Sequence, residues 1–347
     1  MKRSRFEYSL PKNFIANAPA NPRDHSRLLV LDRVTASIQH KHFYDLSDIV
    51  SSTDVLVMNN TKVFPARVFG KRTTGGAVEV LFLKELENNI WEILGKNLPK
   101  IGEQIIFSNF YAKVIKKGLH TAKIRVFTGG KRLLDLLILE GKTPIPPYIT
   151  AKLPEKSLRA KYQTVYAGVV GSVAAPTAGL HFTRKLLAKL KQKGVMMQYV
   201  TLHVGPGTFS PIKETDITKH KMHSEYYSVS KETVRALNNA KKHSKRIVAV
   251  GTTTARVLET ISKNKKLSGN TDIFIYPEYK FNFVDALITN FHLPHSTLLA
   301  LVSAFVSKPN TNEDFTDFKS SLIGKAYQEA IRKEYRFYSF GDAMLIA

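Results

Sequence analysis

The chain of 347 residues contains no cysteine, which removes disulfides, thiolate nucleophiles and cysteine metal sites at once. Acidic residues are scarce: 28 Asp and Glu stand against 52 Lys and Arg, a formal net charge of +24. No stretch approaches the roughly 18 uncharged apolar residues a membrane helix needs, and no continuous apolar segment follows the basic "MKRSR" start as a secretory signal requires. A cytoplasmic protein without a membrane partner is therefore expected. Missing too are GxGxxG, the Gly-Lys-Ser/Thr end of a phosphate loop, HExxH and the GxSxG serine elbow. Nucleoside triphosphate sites, zinc peptidases and serine hydrolases are disfavoured.

What is present is enough apolar sequence for a packed core, 43% of residues, in a chain longer than one core usually serves, so a two-part organisation is expected. The excess of cations favours a polyanionic partner, because each one set against a phosphate releases condensed counterions.

The texture changes twice along the chain. Val55–Met58 reads as a short buried strand running into the polar Asn59-Asn60-Thr61 turn. Beyond Pro65 come short alternating runs such as "GAVEVLFLKEL", "YAKVIKK" and "TAKIRVF", divided by Gly, Asn or Pro, which is the pattern of an all-β barrel or small sandwich. Leu133–Glu140 reads as a helix, and the prolines at 144, 146 and 147 as a stiff connector. From there the plan becomes strand, loop, helix: "YQTVYA", "VMMQYVTLHV", "RIVAV", "DIFIYP" and "ALITNF" as strands, helices capped at Thr183 and after Val250, and an apolar helix started by the proline of "HLPHSTLLALVSAF". The predicted fold class is α/β: a large, mostly parallel domain, open or barrel-like, formed by residues 1–64 and 152–347, interrupted by a small all-β barrel or sandwich over 65–151.

The polar loops of the larger part follow its strands, where parallel α/β proteins place their ligands. One of them, "GSVAAPTAGLHFT" at 171–183, carries no formal charge and is lined by small residues that allow a ligand to approach closely. Histidines 181, 203, 220, 223 and 292 invite a metal reading, but no carboxylate stands at ligand spacing, and no metal is expected. Imidazoles titrate near neutrality and equally serve as hydrogen-bonding or proton-transfer groups. Of the acids, Glu225, Asp272, Asp285 and Asp342 sit in apolar or aromatic surroundings. Aromatics in "HSEYY" and "EYRFYSF" could stack unpaired bases or pack a core.

In order along the chain stand "PRDHSRLLVLDR", "VMNNTKVFPARVFG", "YQTVYA", "GSVAAPTAGLHFT", "TLHVGPGTF", "HKMHSEYY", "GTTTARVLE", "ALITNFHLPHSTLLALVSAF" and "YRFYSFGDAMLI". Together they resemble the S-adenosylmethionine:tRNA ribosyltransferase-isomerases of queuosine biosynthesis. Two positions depart from the family pattern: glycine is expected where Glu278 stands, and a basic or similar residue where His295 stands.

The resemblance implies transfer and isomerisation of the ribosyl part of S-adenosylmethionine onto the aminomethyl group of 7-aminomethyl-7-deazaguanine at the tRNA wobble position. Epoxyqueuosine forms, and adenine and methionine leave. It implies no cofactor, S-adenosylmethionine being a consumed substrate, and an α/β domain interrupted by a β-barrel; a monomer is expected. His181, His203, His292 and Glu225 are the candidates for proton transfer. Ala175, Pro176, Thr177, Ala178, Gly179, Leu180, Phe182, Gly205, Gly207, Thr208, Thr252, Thr253, Thr254 and Asn290 are the candidates for holding the donor. Arg23, Arg27, Asn59, Asn60, Lys62 and Arg67 are placed near the tRNA or the domain junction from polarity and position. A non-catalytic RNA-binding protein and a metal-dependent nucleic-acid hydrolase are the alternative classes.

Overall fold

The computed structural model describes residues 1–150, 153–209 and 211–347, without the side chains of Thr208 and Phe209. The expected domain edge at 151/152 and the Thr208 side chain lie outside the described residues.

The chain opens with β1 (Arg27–Leu31), β2 (Ile38–His42), α1 (Leu46–Ile49), β3 (Asp54–Asn59) and β4 (Thr61–Val63). Next come β5 (Arg67–Arg72), β6 (Ala77–Glu87), β7 (Ile90–Lys96), β8 (Gln104–Ile106), β9 (Tyr111–Lys117) and β10 (Ala122–Phe127), followed by α2 (Leu133–Glu140) and α3 (Glu155–Lys161). The remainder is β11 (Val169–Ser172), α4 (Arg184–Gln192), β12 (Met196–Leu202), β13 (Glu225–Val229), α5 (Lys231–Lys242), β14 (Arg246–Val250), α6 (Thr252–Asn264), β15 (Ser268–Thr271), β16 (Ala286–Asn290), α7 (Thr297–Phe305), α8 (Leu322–Arg332) and β17 (Ala343–Ile346).

Strands β5 to β10 close into a six-stranded antiparallel barrel, order β10-β7-β6-β5-β8-β9. Their period-two pattern explains this directly: Val78, Val80, Phe82, Ile93, Ile105, Ala112, Val114, Ile124 and Val126 point inward, and their neighbours face water.

The rest builds a nine-stranded sheet, order β15-β13-β12-β3-β14-β16-β17-β1-β2. The α/β class and the inserted barrel hold, but the larger sheet is an open row and not barrel-like. It is also mixed: pairing is parallel along β12-β3-β14-β16 and between β17 and β1, and antiparallel elsewhere. Both faces are covered, which explains its continuously apolar strands. Val55, Val57, Ile247, Ala249 and Leu287 belong to the core shared with Leu258, Leu299 and Tyr327, while Leu56, Met58, Val248, Val250 and Ile288 pack toward Leu186, Leu190 and Phe43.

Three local expectations are corrected. "YQTVYA" is a turn, because Tyr162 and Tyr166 pack on Phe340 and Phe182; the strand is β11, after it. "DIFIYP" has no ladder and runs as a coil that buries Ile275 after β15. α7 is capped by the Ser296 hydroxyl, which accepts the Leu299 N–H, and is not started by proline. The predicted Thr183 cap is present, its hydroxyl accepting the Leu186 N–H at 3.1 Å.

Two strands fall outside both sheets. β4 and β11, on either side of the barrel, pair in parallel as a two-stranded ribbon, so the chain leaves for the barrel and returns from it side by side.

Candidate functional site

Because β12, β3, β14 and β16 run parallel, their carboxyl ends share one edge of the sheet. There lie His203 and Gly205 after β12, Asn60 after β3, Thr252 after β14 and His292 after β16. Two adjoining hollows open at this edge. The first is lined by Ala175, Pro176, Thr177, Ala178, Thr252 and Thr253, and the second by Tyr148, Tyr338 and Ser339; Thr177, Asn290, His292 and Leu298 border both. Among the described residues, no Lys, Arg, Asp or Glu lines either hollow.

Asn290 is 2% exposed. Its Nδ2 donates to the Tyr338 carbonyl at 3.1 Å, which fixes the carboxamide, since the reversed orientation would set oxygen against oxygen. The second N–H faces His181 Nε2 at 3.2 Å, so that ring nitrogen accepts, and His181 Nδ1 donates to the Ser26 hydroxyl at 2.8 Å. Asn290 Oδ1 has no partner among the described residues. A buried carbonyl oxygen without a donor costs about 1–3 kcal/mol, and a bound ligand N–H or O–H offsets it. Tyr338, whose carbonyl holds this amide, sits at φ 70°, a conformation strained for a bulky side chain.

His181 stacks on Phe43 with ring centres 5.0 Å apart, and burial lowers its pKa to about 4. Both its ring nitrogens are engaged inside the protein and it lines neither hollow, so it reaches them only through Asn290. His292 differs. Its Nε2 meets the Thr289 hydroxyl at 2.7 Å, its backbone is held by Tyr8 and Tyr327, and its Nδ1 forms no hydrogen bond among the described residues. Burial brings its pKa to about 3, so it meets a ligand as neutral imidazole. His203 bonds Thr61 through Nδ1 at 2.9 Å, stacks on Tyr226, and fills the space where a Cβ on Gly171 would stand. Partial burial lowers its pKa as well.

Glu225 is not among the residues that line the two hollows. It is buried in β13, Arg256 of α6 donates to its Oε2, and its Oε1 accepts the Gly205 N–H at 2.7 Å, so it holds the 205–207 turn. Sequence reasoning missed Arg256, a buried cation inside "TTTARVLETI" whose Nε and Nη2 have no partner. His220 and His223 share no helix; His220 pairs with Glu214.

Several expected donor contacts are supports behind the lining. A Cβ on Gly179 would stand 2.0 Å from the Tyr166 hydroxyl, and Leu180 and Phe182 are core residues. A Cβ on Gly207 would stand 2.0 Å from the His223 ring. The Thr254 hydroxyl donates to the Val250 carbonyl at the end of β14, at 2.7 Å.

The basic and polar residues assigned to tRNA divide likewise. Arg23 donates to the carbonyls of Gln163 and Ala160, both at 2.6 Å. Arg27 lies over the Tyr335 ring and pairs with buried Asp342. Asn59 is fully buried, donating to the Leu202 carbonyl and accepting the N–H groups of Thr61 and Leu202. All three make ties inside the protein, the alternative that polarity and position left open for Arg23 and Arg27. Asn60 accepts from Thr201, Arg67 reaches Ile145 and Glu79 near the barrel's first strand, and Lys62 is exposed on β4. Among the described residues, no group of three or more His, Cys, Asp or Glu side chains is arranged to hold a metal ion, and no helix is long and apolar enough to cross a membrane.

Fold and site define an α/β protein with a charge-free ligand hollow at the carboxyl edge of its sheet and a β-barrel inserted beside it. The chain belongs to the queuosine biosynthesis protein family, whose model matches residues 3–346. It is 49% identical over 350 residues to the S-adenosylmethionine:tRNA ribosyltransferase-isomerase of Sulfurihydrogenibium sp., and 48% identical over 353 residues to that of Thermotoga maritima, with all of each chain covered. A crystal structure of an S-adenosylmethionine tRNA ribosyltransferase from Thermotoga maritima aligns with a TM-score of 0.55 at 36% identity, covering 99% of this chain and 100% of that one.

Proposed function

We propose that the protein is an S-adenosylmethionine:tRNA ribosyltransferase-isomerase, a transferase that moves the ribosyl group of S-adenosylmethionine onto the aminomethyl group of 7-aminomethyl-7-deazaguanine in tRNA, releasing adenine and methionine. The observation that carries this reading is the charge-free lining of the twin hollows in a chain of net charge +24. A sulfonium donor is repelled by lysine or arginine, at about one to several kcal/mol for like charges ~4 Å apart depending on burial. The cations of this chain suit the other substrate, the tRNA, and stand elsewhere.

The reaction needs a base for the ribose carbon beside the sulfonium, a hydrogen bond or proton for departing adenine, and an unprotonated amine on the incoming base. Asn290 Oδ1 accepts from an N–H or O–H of the donor, and the backbone and small side chains of Ala175–Ala178 allow its nucleoside to lie close. Neutral His292 presents Nδ1 to the same hollow. His203, partly exposed against Tyr226, is less buried than His292, and its Nε2 forms no hydrogen bond among the described residues. S-adenosylmethionine is consumed as substrate, and no cofactor or metal is required.

The test is incubation with S-adenosylmethionine and tRNA bearing the aminomethyl-deazaguanine base. Adenine release that a chelator leaves unchanged supports the proposal. RNA bound or cut without adenine release would sink it in favour of a binding protein or a metal-dependent hydrolase.

A further inference from the structure

We infer that the outer face of β8, β9 and β10 is an RNA-binding platform, on which unpaired bases of the substrate RNA stack against Tyr111 and Phe127 while phosphates meet Lys113, Lys123 and Arg125. The inference gives the tRNA of the proposed reaction a docking surface that the site itself does not supply.

Alternation turns every second residue of these strands outward. In register, one outward row reads Lys71, Ile106, Tyr111 and Phe127 across β5, β8, β9 and β10, and the next reads Gln104, Lys113 and Arg125. Tyr111 and Phe127 are 40% and 37% exposed, and their rings stack 4.7 Å apart at 7°. A cross-strand aromatic pair is a common sheet stabiliser, so the pair alone does not identify a ligand.

The charges beside it do. β8, β9 and β10 contain Lys113, Lys116, Lys117, Lys123 and Arg125 and not one acidic residue. Lys113 and Arg125 stand directly opposite each other, as do Lys116 and Lys123, and like charges in that position destabilise a sheet. Among the described residues, Lys71, Lys113, Lys123 and Arg125 form no ion pair, whereas the barrel pairs Arg67 and Lys96 with Glu79, and Lys84 with Glu92, on β5 to β7. Unneutralised cations flanking exposed stacked rings match the chemistry of single-stranded RNA: phosphates for the cations, and a base face for the rings irrespective of sequence.

The test measures binding of the full chain to a transcript of an anticodon stem-loop by fluorescence anisotropy, without S-adenosylmethionine, at two salt concentrations. Replacing both rings (Tyr111→Ala with Phe127→Ala) is expected to weaken RNA binding ~10-fold or more, and Tyr111→Phe to keep parent affinity, since stacking needs the ring and not the hydroxyl. Lys113→Gln with Arg125→Gln is expected to weaken it ~10-fold at low salt and to lower the slope of log K against log salt by roughly one to two. The second variant changes only exposed side chains, so it decides alone if the first fails to fold in a thermal melt. Affinity within twofold of the parent in the glutamine variant, or an unchanged salt slope, overturns the platform. RNA bound through these residues by a chain that releases no adenine would refute the proposed activity and leave the platform standing.

Discussion

The carboxamide of Asn290 gives its nitrogen to His181 and to the Tyr338 carbonyl, and its oxygen to no partner among the described residues. That one-sided arrangement fits the proposed reading, in which Asn290 contacts the donor and His181 fixes the angle of its amide.

Asn290→Ala is therefore expected to raise KM for S-adenosylmethionine roughly 10-fold or more, the equivalent of one lost hydrogen bond of about 1–2 kcal/mol, with RNA affinity unchanged. His181→Ala should lower turnover in the same direction while leaving RNA affinity alone, and should also cost stability through the lost Phe43 stack. Steady-state kinetics with each substrate varied separately, beside an RNA titration, checks both. Equal losses for the two substrates would contradict the assignment.

Acid stability follows from the two buried imidazoles. Their pKa values fall from about 6.5 unfolded to about 4 for His181 and about 3 for His292. Below pH 6.5 the unfolded chain binds protons that the folded chain refuses, so unfolding free energy rises with pH in this window. Stability is complete above the unfolded value and is lost as pH falls toward 4 and then 3, on the order of a few kcal/mol for each group. Urea unfolding between pH 7.5 and 4 should show this slope, and His292→Gln should flatten it.

Arg256 and Glu225 form a buried pair between α6 and β13. Arg256→Met leaves a carboxylate in the interior without its cation, a change that costs about 3–5 kcal/mol. Replacing both residues (Arg256→Met with Glu225→Gln) should recover much of this loss, and denaturant midpoints of the single and double variants measure it.

Glu278 is exposed and lies at φ 82°, a left-handed conformation in which a side chain is strained. The family pattern expected glycine there, and the backbone supplies the reason. Glu278→Gly should stabilise the protein by a few tenths to about 1 kcal/mol, readable as a raised Tm with unchanged kinetics.

Local rules made the barrel strands, the Thr183 cap and the post-strand loops legible, since each depends on neighbours a few residues apart. The large sheet was not legible in the same way. Its antiparallel pairs, β16 with β17 and β12 with β13, are set by long-range register that no local period encodes. "YQTVYA" and "DIFIYP" have strand composition, yet their aromatic and branched residues serve tertiary packing. For Arg23, Arg27 and Asn59, polarity and position could not choose between a tRNA or junction surface and an internal tie, because their partners lie more than a hundred residues away. In the site, the small-residue loop and Asn290 were visible from composition, but lining and support could not be told apart: Ala178 borders the hollow while Gly179, the next residue, sits under Tyr166. Tyr148 and Tyr338, which wall the second hollow, gave no signal beyond being aromatic.

The ribbon of β4 and β11 has a mechanical consequence. Only Val173 and Ala174 separate the end of β11 from Ala175, the first residue of the hollow. The chain that returns from the barrel is thus clamped in the ribbon two residues before it reaches the hollow, a tether too short to leave the lining loop independent of the ribbon's position.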